Sequence, residues 1–434
     1  MLYYNFNKVL YNYHHLLASG IGLAKASVVS GGRNASGIQM SVQQLTIPDY
    51  HKVMFRSDTQ ATYHIAGYGQ SNEEALTRVM GETIERYSFM SSYHVLKDAL
   101  VHASYAELRE TALPLSLINV TKDDDAYFKH RDESTPLLWL QLYNYCTARA
   151  VYYPFCLIGN EPSTTQMVFP AMSTGTATHV SLEHALLNAM VEQLQIHAFM
   201  TAWYGMRALP VVNWEPFISK ALRTVIEKTF TAHSFEIIVL DCSIAECDFK
   251  NYITILKNKN GQYPYCAIGV QGGFVAEEVL LRSMMEAAAI YVNLQQFSVF
   301  KESLIQSFTQ DTILKQYNLD APFLYWSNYN DYAQKETILN ALCDYSHRTD
   351  FTIGPQYTIT EQLKKIIDFY QSSLHFFSVL EITPPEVTAY GYRTVRVIAP
   401  ELVPMNFPAL TYDNHPAFLR QGGIRNGHFT HPLP

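Results

Sequence analysis

Basic runs, paired cysteines and long apolar stretches are all missing from this 434-residue chain. With 31 Lys and Arg against 39 Asp and Glu and no basic cluster, it lacks the electrostatic footprint of a nucleic-acid-binding protein. No Cys-x-x-Cys pair links its six cysteines, so a structural zinc site is not expected, and several of the thiols sit in apolar, strand-like runs that would bury them. No stretch has the length of a membrane span, and residues 1–8 lack the charged-then-apolar order of a signal peptide. The expected address is cytoplasmic, with no membrane partner. Also absent are Gly-x-x-x-x-Gly-Lys-Ser/Thr, His-Glu-x-x-His and Gly-x-Ser-x-Gly, which removes Walker-type nucleotide sites, zinc proteases and hydrolase elbows.

A hydrophobic content of 48% is enough for a large core. The runs 137–144 and 150–158, joined by a short connection, predict a hairpin. Residues 235–241 and 265–270 predict buried strands, and residues 392–400 a late one. Strands both alternate with helical stretches and form hairpins, so the class is mixed, α+β. Residues 31–37, rich in glycine, predict a turn, and residues 63–69 a strand entering a helix through glycines. The acidic run at 123–125 predicts a solvated loop. The expected organisation is an N-terminal segment (1–60), a core (61–300), a helical, peripheral or partner-facing region (301–385, with a helix at 357–380), and a terminal strand with a Pro-rich tail (386–434). The composition of that tail predicts an extended or disordered segment.

Three helical stretches carry the chemistry. In residues 181–197, His184, Asn188, Glu192 and Gln195 fall in one stripe at about 3.6 residues per turn, and nearly all other positions are apolar. A helix apolar almost all round is normally buried, and burying a carboxylate and amides is costly unless something pairs with them. In residues 71–87, Glu82, Glu85 and Arg86 share a face with Arg78, and Ser71 with Glu74 predicts a capping box. In residues 277–291, Glu278, Arg282 and Glu286 recur at every fourth position. If the stripes converge, Glu82, Glu85, Glu192 and Glu286 outnumber Arg86 and Arg282. Two arrangements suit that set: Mg2+ ions holding a triphosphate, with the arginines on the phosphates, or a Glu–Arg network that ties helices together.

The segments Gly67-Tyr-Gly…Glu82-Thr-Ile-Glu-Arg86, Ser173-Thr-Gly-Thr-Ala…Ser181…Asn188…Glu192…Gln195 and Arg282-x3-Glu286 resemble, in order, three nucleotide motifs of the YcaO superfamily. The resemblance spans roughly residues 60–405 and implies a non-Walker ATP site on mixed sheets packed with helices, with residues 61–300 as the ATP-binding core. It implies Mg2+ ligation by Glu82, Glu85, Glu192 and Glu286, and ATP contacts from Arg86, Ser181, Asn188, Gln195 and Arg282. The length and Pro-x-Pro tail are similar to stand-alone cyclodehydratase subunits of streptolysin S and microcin clusters, which form azolines from Cys, Ser or Thr of a precursor peptide. That likeness implies a leader-binding partner subunit, a flavin-dependent dehydrogenase and an oligomeric complex. In family terms the tail places the Pro434 carboxylate as a catalytic base or orienting group. Tyr68, Arg78, Ala289 and Thr430 depart from the usual family residues. Alternatives within and beyond this chemistry are thioamide or amidine formation and a non-catalytic scaffold.

Overall fold

Ser71 starts the first long helix: its hydroxyl accepts the Glu74 N–H at 3.2 Å, satisfying an otherwise orphaned donor. The expected capping box is not closed, because the Glu74 carboxylate reaches the Gln70 N–H (2.9 Å) and Arg78 (2.6 Å) instead of Ser71. This helix, α1 (Asn72–Leu96), belongs to the first of two compact units in the computed structural model. The structure describes residues 11–12, 15–17, 22–24, 26–33, 37–48, 54, 64–123, 129–160, 171–230, 235–259, 261 and 263–434.

The first unit comprises Met1–Gly32, Met40–Met190 and Ile367–Glu401. Among its described residues are three three-stranded sheets. Strands β1 (Ala26–Arg33), β2 (Gln39–Thr46) and β3 (His64–Gly69) form one, in that order. Strands β4 (Leu100–Ser104), β5 (Pro136–Asn144) and β6 (Arg149–Pro154) form the second, and β5 and β6 are the expected antiparallel hairpin. In the third, β14 (Arg393–Ile398) lies between β7 (Thr176–His179) and β13 (Ser378–Glu381). Leu76, Val79, Met80 and Ile84 of α1 pack with Leu45, Ile65, Ile382 and Tyr392 in a buried cluster. Residues 31–33, expected in a turn, complete β1. The rest of that turn cluster, 34–36, and Asp124 and Asp125 of the acidic run lie outside the described residues.

The second unit comprises Arg33–Gln39, Val191–Ile366 and Leu402–Pro434. Its sheet has five strands in the order β11-β10-β9-β8-β12: β8 (Leu209–Asn213), β9 (Phe235–Asp241), β10 (Lys250–Asn258), β11 (Cys266–Gly273) and β12 (Cys343–Asp350). β10 pairs antiparallel with both β9 and β11, and β12 runs parallel to β8. The long helix α2 (Leu182–Gly205) divides between the units after Met190, and α3 (Ala276–Ser307) packs on β11 and β10. The region 301–385 is not peripheral throughout. Its strand β12 extends the sheet, and every residue from Ala321 to Ser327 of helix α4 (Asp320–Ser327) is buried. The helix expected at 357–380 is shorter, α5 (Ile359–Ser373), and the chain then enters β13.

The tail is neither disordered nor loose. Trp203 Nε1 donates to the Phe429 carbonyl (3.3 Å) and Trp326 Nε1 to the Thr430 carbonyl (2.8 Å). His431, wholly buried, is 2.9 Å from the Asn406 carbonyl through Nε2. Leu433 is buried and Pro434 exposed. Two indole donors and a buried imidazole offset the cost of ordering this segment.

Candidate functional site

In the first unit β3 lies directly on α1. A Cβ at Gly67 would stand 2.1 Å from the Ala75 carbonyl oxygen and 2.4 Å from the Val79 nitrogen, so only glycine allows the approach. Two turns further along α1 are Glu82, Glu85 and Arg86. Arg86 Nη2 is 3.5 Å from Glu82 Oε1, and its Nη1 is 3.2 Å from Glu85 Oε1. The backbone N–H of Ala66 on β3 also donates to Glu82. Burial pushes the Glu82 carboxyl above its ordinary range, with Arg86 and the Ala66 N–H pulling it back. Yet 31% of its side chain stays open, so the carboxyl lies in a recess that solvent reaches and not in a sealed core. One turn before, Arg78 is held by Glu74 and lies 4.9 Å from the centre of the Tyr68 ring.

Ser181 and Asn188 also belong to the first unit. The Ser181 hydroxyl caps α2, accepting the His184 N–H at 3.4 Å, and Asn188 is exposed. His179 and His184 stack at 4.6 Å, and burial followed by the neighbouring His184 lowers the His179 pKa.

In the second unit β11 lies on α3 in the same manner. A Cβ at Gly269 would stand 2.3 Å from the Ser283 carbonyl oxygen and 2.5 Å from the Ala287 nitrogen. Glu286 Oε2 accepts the Val270 N–H at 3.0 Å. Gln195, expected to contact nucleotide, has its amide on β11: Nε2 donates to the Val270 carbonyl (2.7 Å) and Oε1 accepts the Gly272 N–H (2.9 Å). Glu192 is partly buried on α2. Arg282 pairs with Glu278 at 2.7 Å, both side chains about half exposed, so on α3 the arginine turns toward the helix start, away from Glu286. Among the described residues no three His, Cys, Asp or Glu side chains converge as a metal cluster. The strand amide of Val270 was not foreseen, because a backbone donor leaves no mark in a sequence.

The YcaO family profile, described as "YcaO cyclodehydratase, ATP-ad Mg2+-binding", matches residues 66–403. The chain belongs to the YcaO family. ATP and Mg2+ are the ligands that go with that membership. A solved heterocyclase in complex with substrate and cofactor has a TM-score of 0.73 at 16% identity, and covers 99% of this chain and 57% of its own. The Escherichia coli microcin synthetase McbBCD complex follows at 0.65 and 14%, covering 96% and 99%. The YcaO protein from Methanopyrus kandleri bound with AMPPCP and Mg2+ stands at 0.63 and 11%, covering 92% and 91%. At these identities the likeness is one of fold, and the chain spans little more than half the length of the first. No curated protein sequence matches it.

The donor chemistry of the first unit fits a hard cation. Two carboxylates face one guanidinium, leaving net negative charge on a partly open face of α1. Oxygen ligands of this kind suit Mg2+, which takes one or two carboxylates together with phosphate oxygens and water. No described helix is long and apolar enough to cross a membrane.

Proposed function

We propose that this YcaO protein is an ATP-dependent cyclodehydratase acting on a ribosomally made precursor peptide in the cytoplasm. A Cys, Ser or Thr side chain of the peptide forms a bond to the preceding amide carbonyl carbon and gives up its proton. The carbonyl oxygen, phosphorylated at the expense of ATP, leaves as phosphate while the amide nitrogen loses its hydrogen, which closes a thiazoline or oxazoline ring. The family match over residues 66–403 carries this reading.

Glu82, Glu85, Glu192 and Glu286 are assigned to Mg2+, which when bound would offset charge on the phosphates. Arg86 and Arg282 are assigned to phosphate oxygens, where their planar donor forks suit tetrahedral oxyanions. Ser181 and Asn188, at the start of α2 and one face along it, are assigned to the nucleotide. Pro434 is the candidate group that orients the peptide or takes its proton. The tail's attachment to Trp203 and Trp326 supports that assignment, since a held segment loses little entropy on reaching a substrate. The partners in this reading are a leader-binding subunit and a flavin-dependent dehydrogenase, in an oligomeric complex.

Mass spectrometry of a candidate peptide incubated with the chain, its partner, ATP and Mg2+ tests the reading. Loss of one water per ring supports cyclisation, exchange of oxygen for sulfur supports thioamide formation, and no change without ATP turnover supports a scaffold. Glu192→Gln should eliminate ATP turnover with modest loss of stability. A strongly unfolded variant would favour an ionic scaffold. Removing Pro434 alone leaves Leu433 in its buried place and should stop cyclisation.

A further inference from the structure

β11 is a terminal strand of its sheet, so its outward backbone groups have no partner strand. Side chains occupy them. Glu286 Oε2 takes the Val270 N–H, and Gln195 spans the next two groups, donating to the Val270 carbonyl and accepting the Gly272 N–H. Gln195 Oε1 also accepts from Gln271 Nε2 at 3.3 Å, so both of its lone pairs are engaged. Only 8% of Gln195 is exposed. Its backbone is fastened too, because Asn251 Nδ2 on β10 donates to the Gln195 carbonyl at 3.1 Å. Gly272 makes room for this: a Cβ there would meet Phe249 at 2.3 Å and Gln195 at 3.1 Å.

We infer that Gln195 is a positioning residue that clamps the outer edge of β11, so that the Val270 N–H holds Glu286 in one carboxylate orientation. The inference rests on the assignment of Glu286 to Mg2+. A carboxylate with one oxygen fixed to a backbone amide has its side-chain torsions set, and the direction of its other oxygen is set with them. Gln195 holds the strand segment that supplies that amide. Its short bond to the Val270 carbonyl acts on the same residue whose N–H meets Glu286. Glu192, three residues earlier on α2, is carried by the same attachment. Partners that orient a metal ligand in this manner govern metal affinity by about 10- to 100-fold.

The test uses the full chain and AMPPCP binding titrated against Mg2+, with amide hydrogen exchange as a second readout. For Gln195→Met, which keeps the volume and loses all three side-chain hydrogen bonds, the Mg2+ needed for half-maximal AMPPCP binding should rise about 10-fold. The loss of AMPPCP affinity should shrink as Mg2+ rises toward saturation, and the Val270 and Gly272 amides should exchange faster. Affinity lost alike at every Mg2+ concentration would mean that Gln195 touches the nucleotide, and would overturn the inference. Faster exchange with an unchanged Mg2+ requirement would reduce Gln195 to an edge cap and overturn it as well. Should Gln195→Met not fold, Gln195→Glu keeps the acceptor for the Gly272 N–H and repeats the measurement. If the unaltered chain shows no Mg2+-dependent AMPPCP binding, the Mg2+ assignment itself fails and the positioning role falls with it.

Discussion

The β3–α1 and β11–α3 pairs are built alike and balanced differently. Each sets a terminal strand against the following helix through a glycine, Gly67 or Gly269, whose Cβ would stand within 2.4 Å of the helix backbone. Each gives a strand N–H, from Ala66 or Val270, to a helix glutamate, Glu82 or Glu286. They part over what steadies that glutamate. In the first unit Arg86 lies between Glu82 and Glu85, and the correction is ionic. In the second, Arg282 turns to Glu278, and Gln195 steadies the strand with neutral hydrogen bonds. The backbone frame is therefore separable from the charge placed on it, and each can be broken alone.

The largest effect expected is on turnover. Glu82→Gln and Glu286→Gln should each reduce ATP hydrolysis by at least about 1,000-fold, equivalent to about 4 kcal/mol of barrier. Equal losses would show both frames serving one reaction; a tolerated substitution in either would break the parallel. Next, Gly67→Ala and Gly269→Ala should each lower stability by about 2–3 kcal/mol, read as a shift of the urea midpoint, because their neighbours are backbone atoms that cannot rotate away. A single sensitive glycine would mean that only one strand needs the close approach.

Acid should weaken the second unit in particular. Burial lowers the His431 pKa from 6.5 to about 4, so the folded state holds the ring neutral where the unfolded chain protonates. Stability is then complete above about pH 6.5 and lost as the pH falls toward 4. Burial lowers the His197 pKa in the same unit to about 3, so between pH 7 and pH 5 each of the two rings should take about 2 kcal/mol, and His431→Gln should halve the loss in urea titrations at the two pH values. Smaller still is the contrast between the arginines. Arg86→Met should cost about 1 kcal/mol, because it leaves two partly buried carboxylates facing each other. Arg282→Met should cost less than about 0.5 kcal/mol, since its pair is half exposed. Gly81 on α1 faces open space, and Gly81→Ala should raise stability by about 0.5–1 kcal/mol, a change of opposite sign to the neighbouring Gly67→Ala.

The three striped helices, the β5–β6 hairpin and the strands β9, β11 and β14 were legible because their apolar patterns are dense. β10 was not. Its residues 251–256 are buried on both faces, so it shows no alternation, and its Asn251 and Thr254 look loop-like until their partners, Gln195 and Ser283, are known. β12 was missed for the opposite reason: it is an exposed edge of polar residues with a register shift between Asp344 and Arg348. For the site, the order of Glu82, Glu85, Arg86, Glu192, Gln195, Arg282 and Glu286 was visible along the chain. The turn of Arg282 toward Glu278 was not, since Glu278 and Glu286 stand equally four residues away. Composition left the order of the tail unread, because its prolines suit an extended and a disordered segment alike, and the tryptophans that hold it lie far off at positions 203 and 326.

Those two tryptophans have a practical use. Their rings meet edge to face with centroids 5.1 Å apart, and both indole N–H groups end on carbonyls of the tail. If the segment lifts, both fluorophores lose a hydrogen-bond acceptor together, so emission from the unlabelled protein can report in real time whether the tail is seated.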